Sequence, residues 1–263
     1  MVGLDFSNKN VVITGGNGGI GTPVVRGVLE GGGNVILTAR RNIDDFTSAL
    51  NEEFGEGRVK SVIMDMAEPE SIRGGYAKII EETGKIDVLI NVAGIVSTAS
   101  FSELSQEEWD RTIAVNLTAL YVGCQVMFNH MKEKGGGRIV NVSSVAGKIG
   151  GGLLGTAAYA ASKAGVNALT KAIAKEGGKY NINCNAVCPS LTYTKMTSSM
   201  DSEKTEKIIN SIPLHRGAQP QEIANVVLFY ASDLASFCTG EITDADGGIV
   251  LDGTHAASNR VLY

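Results

Sequence analysis

In the stretch YAASK a tyrosine, Tyr159, precedes a lysine, Lys163, by four positions. On a helix that spacing stacks the two side chains on one face, about a turn apart. The pair reads in two ways: as ordinary helix surface, or as an ammonium placed to change the acidity of a phenol. A free phenol titrates near pH 10 and is a poor base at neutral pH. An ammonium beside it favours the phenolate, and a shift of roughly 2–3 units needs only about 3–4 kcal/mol of differential stabilisation. Ser143 and Ser144 close the run GRIVNVSS, where a hydroxyl either caps a strand end or holds a reacting oxygen. Asn116, in AVNLTAL, is either a buried helix asparagine or a polar link to a site.

A second candidate is the string TGGNGGIG, Thr14 to Gly21, which follows the run NVVIT and opens the helical stretch TPVVRGVLE. Glycines at 15, 19 and 21 permit a tight turn, close approach of backbone to a pyrophosphate, and close helix–strand packing. The helix N-terminus then offers free N–H groups and a positive dipole end to the anion. A strand before and a helix after the loop separate a dinucleotide site from the many other glycine loops. The next strand ends LTARR, with Ala39 where NAD sites usually carry an acid, and Arg40 and Arg41 directly behind it. An acid repels a 2′-phosphate, whereas a guanidinium binds it through forked, charge-assisted hydrogen bonds. The alternative is two solvated arginines at a loop start; the pattern favours NADP(H) over NAD(H).

These residues need a scaffold, and the hydrophobic pattern supplies one. β-Branched runs at 10–14, 34–38, 58–64, 86–90, 137–142, 182–187 and 240–245 alternate with helical stretches at 19–31, 44–54, 69–83, 106–134, 157–179, 199–210 and 220–232. Several runs are almost wholly apolar, as strands covered on both faces require. The alternation predicts an α/β fold: one doubly wound Rossmann-type domain over residues 1–263, a seven-stranded parallel sheet with helices on both faces. Its cofactor half runs to about residue 145, and the substrate-facing half follows.

Of 263 residues, 43% are hydrophobic and 19% charged, enough for a full core and too apolar for disorder. The net charge of −5 comes without a basic, aromatic-laced stripe, so no nucleic-acid partner is expected. The amino terminus lacks signal-peptide features and no apolar run approaches a membrane span, which with a pI near 5.3 predicts a cytoplasmic protein with no membrane partner. Cys124, Cys184, Cys188 and Cys238 form no CxxC pair and read as reduced core thiols; with His130, His215 and His255 far apart, no metal site is expected.

Together the motifs resemble the short-chain dehydrogenase/reductase family, in its compact soluble branch, up to about residue 250. TGGNGGIG is similar to that family's TGxxxGxG, NVAG (91–94) to its NNAG, VNL (115–117) to its helix asparagine and VSS (142–144) to its serine element. YAASK resembles its YxxxK, NAVCPS (185–190) its NxxxPG, and TGEITDADGG (239–248) its final strand. The resemblance implies Tyr159 as acid in carbonyl reduction and base in alcohol oxidation. It implies that Lys163 bonds the nicotinamide ribose and lowers the phenol pKa, and that Asn116 connects a water chain to Lys163. Alignment on GRIVNVSSVAG favours Ser144 over Ser143 as the holder of the substrate oxygen. Cofactor contacts are implied for Gly15, Asn17, Gly18, Gly19, Ile20 and Gly21, for Arg40 and Arg41, and for Asp65 and Met66 beside the adenine. They are implied too for Asn91, Ala93 and Gly94 on the adenosine ribose side, for Pro189, Thr192 and Thr194 near the carboxamide and pyrophosphate, and for Tyr159 and Lys163.

Two positions depart from the family pattern: Val92 replaces an asparagine and Ser190 a glycine. The connection from Ser144 to Tyr159, VAGKIGGGLLGTAA, is longer than usual for the family and reads as a flexible glycine run followed by Leu153 and Leu154. The substrate pocket is expected to draw on Ser97 to Ser100, residues 148–156, Tyr193, Met196 and Met200. Those side chains point to a bulky apolar alcohol or ketone, such as a hydroxysteroid or bile-acid-like ring system. Lys148 and Lys195 are the candidate cations for an acidic substrate. The rival reading is a 3-oxoacyl thioester reductase serving an acyl carrier protein, disfavoured because the helix ends HMKEKGGGR and AKEGGKYN are lightly basic and offset by glutamates. A catalytically silent dinucleotide-binding scaffold would have lost one of Asn116, Ser144, Tyr159 and Lys163, and all four are present. Small and apolar residues on more than one face of the helices at 106–134 and 157–179, with the resemblance, imply a homotetramer.

Overall fold

The computed structural model describes residues 3–151, 154–198 and 200–251. Seven parallel strands form one sheet in the order β3-β2-β1-β4-β5-β6-β7. They are β1 (Asn10–Thr14), β2 (Asn34–Ala39), β3 (Val59–Ile63), β4 (Val88–Asn91), β5 (Gly137–Val142), β6 (Ile182–Pro189) and β7 (Ile242–Ala245). The sheet is covered on both faces, which is why Val11, Val12 and Ile13 are all fully buried rather than alternating. At the β3 edge the pattern changes: Val59 and Val62 are buried while Lys60 and Ile63 face solvent.

Helices α1 (Gly21–Glu30), α2 (Asp44–Phe54) and α9 (Pro220–Ala231) lie on one face, where Val24, Val28, Val227 and Leu228 pack with Val11 and Ile13. On the other, α3 (Pro69–Thr83), α5 (Ala119–Glu133) and α7 (Ala157–Gly177) bring Tyr76, Met127 and Val166 against Val12 and Leu89. Three further helices, α4 (Gln106–Ile113), α6 (Ala146–Ile149) and α8 (Ser202–Ser211), surround the carboxyl ends of the strands. Because β1 lies between β2 and β4, the winding direction reverses there and a crevice opens at the strand ends.

The elements depart from the expected pattern in three places. The expected single helix over 106–134 contains one π-helical turn, Ala114–Thr118, between α4 and α5. The connection after Ser144, expected as a loop, starts as α6 and stops at Gly150, which is left-handed. Helix α8 starts three residues later than the pattern predicted, after Asp201, whose carboxylate caps the Glu203 and Lys204 N–H groups. By length and composition alone the helix Gln106–Glu133, with a mean hydropathy of 1.2 over eighteen residues, reaches the range of a membrane span, more apolar than its sequence run suggests. That hydropathy has a local cause, since Leu120, Met127 and Met131 are core residues packed under the sheet.

Candidate active site

The glycine loop turns tightly between β1 and α1. Gly15 is left-handed (φ 68°), and a Cβ there would come within 2.9 Å of the Ala93 backbone, so only glycine lets the two loops meet. The Thr14 hydroxyl accepts from the N–H groups of both Val92 and Ala93 at 3.2 Å, which pins the second loop to the first. Neither role was legible in Thr14's position alone. Helix α1 has no capping side chain at Ile20 and no acid in its first turn; Thr22 N–H is taken by Gly18 O and Pro23 has none, so Gly19, Ile20 and Gly21 are the residues whose N–H groups can meet an anion.

Beyond this loop runs an outer cleft of about 1220 Å³, lined by Gly15, Asn17, Arg40, Arg41, Asp65, Met66, Ala93 and Gly94. Gly94 also lines an inner cleft of about 850 Å³ with Ile20, Ser144, Tyr159, Lys163, Pro189, Thr192 and Thr194. Thr194 packs directly on Gly19, and Gly21 is buried under the Gly15 carbonyl. Gly18 closes the turn by donating to Gly15 O at 3.1 Å. Asn91 stands apart. Its amide donates to Asn141 Oδ1 at 2.9 Å inside the sheet, a buried polar pair that turns the side chain away from both clefts. A glycine cradle, an uncapped helix start and a groove running from Arg40 to Lys163 together fit an extended dinucleotide.

Tyr159 and Lys163 come from the first turns of α7. Lys163 is buried, donates to Val142 O at 2.8 Å, and lies 5.7 Å from the Tyr159 ring centre. Burial lowers its pKa to about 8, because little around it stabilises the charge. The Tyr159 phenol moves the opposite way. Burial raises its pKa, and a hydrogen bond with the Ser144 hydroxyl only partly offsets that. The expected lowering of the phenol by Lys163 is therefore absent in the free protein, where desolvation is the larger effect. Ser143 is separated from Ser144 by its partner: its hydroxyl donates to Lys163 O at 3.1 Å and ties β5 to α7.

Asn116 sits in the π-helical turn, whose extra residue rotates it inward. Its amide donates to Ile95 O at 2.9 Å and to Ser162 Oγ at 3.1 Å, while its oxygen accepts from Ile95 N at 2.8 Å. Ser162 in turn donates to Tyr159 O at 2.7 Å. Asn116 thus bridges the loop after β4 to the helix that carries Tyr159. Ser162, directly before Lys163 in YAASK, is thus the link between the Asn116 amide and the Tyr159 backbone.

The walls of the inner cleft are apolar: Val92, Val96, Ala146, Leu154, Leu191, Met196, Met200 and Ile208. Ser97 to Ser100 and Tyr193 are not among them. Ser97 is buried and its carbonyl holds Thr156 N at 3.0 Å, while the Tyr193 hydroxyl accepts from Gly217 N at 3.0 Å. Lys148 is also unavailable, donating to Ile242 O at 3.0 Å and pairing with Asp244 at 2.7 Å. Ser190, at the family's glycine position, donates to Asp246 O at 2.8 Å. Leu153 lies outside the described residues.

A family model described as Enoyl-(Acyl carrier protein) reductase matches residues 15–250. The chain is 37% identical over 245 residues to the acetoacetyl-CoA reductase of Acinetobacter sp. (strain RA3849), covering 92% of this chain and 98% of that one. It belongs to the short-chain dehydrogenase/reductase family. It is also 37% identical over 244 residues to the 3alpha-hydroxysteroid dehydrogenase of Mediterraneibacter gnavus, covering 92% and 97% of the two chains. A third relative is the 3-oxoacyl-[acyl-carrier-protein] reductase FabG of Thermotoga maritima, 37% identical over 251 residues, 94% of this chain and all of the other. The crystal structure of gox2181 superposes with a TM-score of 0.88 at 31% identity, over 94% of this chain and 97% of that one. The chain is accordingly an oxidoreductase of the CH–OH group that uses a nicotinamide dinucleotide.

Proposed function

We propose that this dehydrogenase/reductase interconverts a bulky apolar secondary alcohol and its ketone, with NADP(H) as hydride carrier and Tyr159 as acid and base. The observation that carries the substrate class is the inner cleft, whose wall is mostly apolar and whose one cation among the described residues, Lys163, is directed at Val142 O. The bound dinucleotide supplies or accepts the hydride. The protein's part is to hold the proton at Tyr159 Oη and to meet the charge that grows on the carbonyl oxygen with two donors, Tyr159 and Ser144. Lys163 holds the nicotinamide ribose, and Asn116 keeps the Ile95 backbone and α7 in register. The raised phenol pKa keeps Tyr159 protonated at neutral pH, the form that ketone reduction requires. The preference for the 2′-phosphate rests on Arg40 and Arg41, both exposed at the outer cleft. The names of the relatives support a second substrate class, a 3-oxoacyl thioester, on equal identity.

A panel of ring ketones, linear ketones and a 3-oxoacyl thioester, each with NADPH and NADH, tests both parts. Fastest turnover of ring ketones with NADPH is expected. Preference for the thioester would replace the substrate class, and equal use of NADH would remove the arginine argument. A cytoplasmic location and a homotetramer, with apolar Tyr121, Phe128, Leu169 and Ile173 on the outer sides of α5 and α7, complete the proposal. Light scattering on an eluting peak reads the assembly directly, and a monomer mass would reject it.

A further inference from the structure

Arg111 closes the last turn of α4 and lines the outer cleft together with Val115, one helical turn further on. Arg40 and Arg41 reach the same cleft from the end of β2, so two separate elements deliver arginines to one groove of a chain whose net charge is −5. Among the described residues none of these three guanidiniums has an ion-pair or hydrogen-bond partner, although Glu107 and Glu108 lie one turn before Arg111. The rest of that end of the cleft is apolar at Met64, Met66, Ala67 and Val115. Its acid, Asp65, has one carboxylate oxygen engaged with Ala67 N at 2.9 Å and the other available.

A slot with apolar sides and, at its exposed edge, a carboxylate acceptor and a planar cation matches a purine rather than a second phosphate. A guanidinium is flat and weakly hydrated and stacks on aromatic faces, which an ammonium does not do. On the dinucleotide reading above, we propose that Arg111 covers the open face of the cofactor's adenine by stacking, while Arg40 and Arg41 meet the 2′-phosphate. Arg111 then contributes to affinity for every adenine-containing ligand and takes no part in choosing NADP(H) over NAD(H).

Calorimetric titration of wild type, Arg111→Ala, Arg111→Lys and the double variant Arg40→Ala/Arg41→Ala tests this. The ligands are NADPH, NADH, ADP-ribose and reduced nicotinamide mononucleotide. Arg111→Ala is expected to weaken NADPH, NADH and ADP-ribose alike, by about five- to thirtyfold, and to leave the mononucleotide unchanged. Arg111→Lys keeps the charge and is expected to recover only a minor part of that loss. The double variant is expected to weaken NADPH alone. Unchanged binding in Arg111→Ala, a loss confined to NADPH, or full recovery by Arg111→Lys would each overturn the stacking role. A wild-type protein that binds none of the adenine ligands would instead overturn the dinucleotide reading beneath it.

Discussion

At the scale of single residues, the site is built from groups whose burial works against their charge. Lys163 titrates near 8 in the folded protein against 10.5 for a free lysine. Between those values the unfolded chain holds a proton that the folded chain has lost, so this group's contribution to stability rises with pH across that window. Below about pH 8 the buried ammonium costs the fold up to about 3 kcal/mol. Thermal unfolding of wild type and Lys163→Met from pH 7 to pH 10 reads this: the melting temperature of wild type is expected to gain on the variant as pH rises. A constant difference would mean that Lys163 is not a strained cation. YAASK, the glycine loop and the arginine pair were legible in the sequence because their spacing encodes a helix face, a turn and a charge. The separate tasks of Ser143 and Ser144 were not, since adjacent hydroxyls differ only in which partner the fold presents. The inward turn of Asn91 was hidden for the same reason, because its partner Asn141 is 50 residues away.

At the scale of elements, strands and long helices followed from hydrophobic period, whereas the irregular pieces that aim the catalytic groups did not. Nothing in AVNLTAL announces a π-helical turn, since a phase shift confined to one turn is too short to read against the apolar pattern on either side. The short α6 was masked by its glycines, which read as loop. One of them is required by packing. A Cβ on Gly147 would come within 2.6 Å of the Lys163 backbone carbon, so α6 lies directly against the helix that carries Tyr159 and Lys163. Gly147→Ala is therefore expected to destabilise the protein by roughly 1–3 kcal/mol and to lower kcat by shifting Lys163. Gly178→Ala is the control, since a Cβ at that position meets nothing within 4 Å. Equal denaturation midpoints for the two variants would contradict the tight α6–α7 contact.

At the scale of the whole molecule, the reversal of winding beside β1 gathers these pieces at one end of the sheet. The glycine loop, the loop after β4, the end of β5 and the start of α7 all face one continuous groove. The family and fold were therefore readable from the order of motifs. The hydropathy of Gln106–Glu133 follows from the same layering, because core helices covered on two sides pass the same composition test as spans. Substrate class was the least legible property, because it depends on side chains from β5, α6, α8 and the loop after β6 that meet only in the folded chain.

The central claim is that Tyr159 moves the proton while the rest of the groove binds the cofactor. It is tested most directly by Tyr159→Phe, with NADPH affinity measured by titration and ketone reduction followed at the nicotinamide absorbance band. The account predicts affinity within about twofold of wild type and a fall in kcat of about 10²–10⁴-fold, the usual share of a positioned acid. Turnover that survives at the wild-type rate in Tyr159→Phe would contradict it.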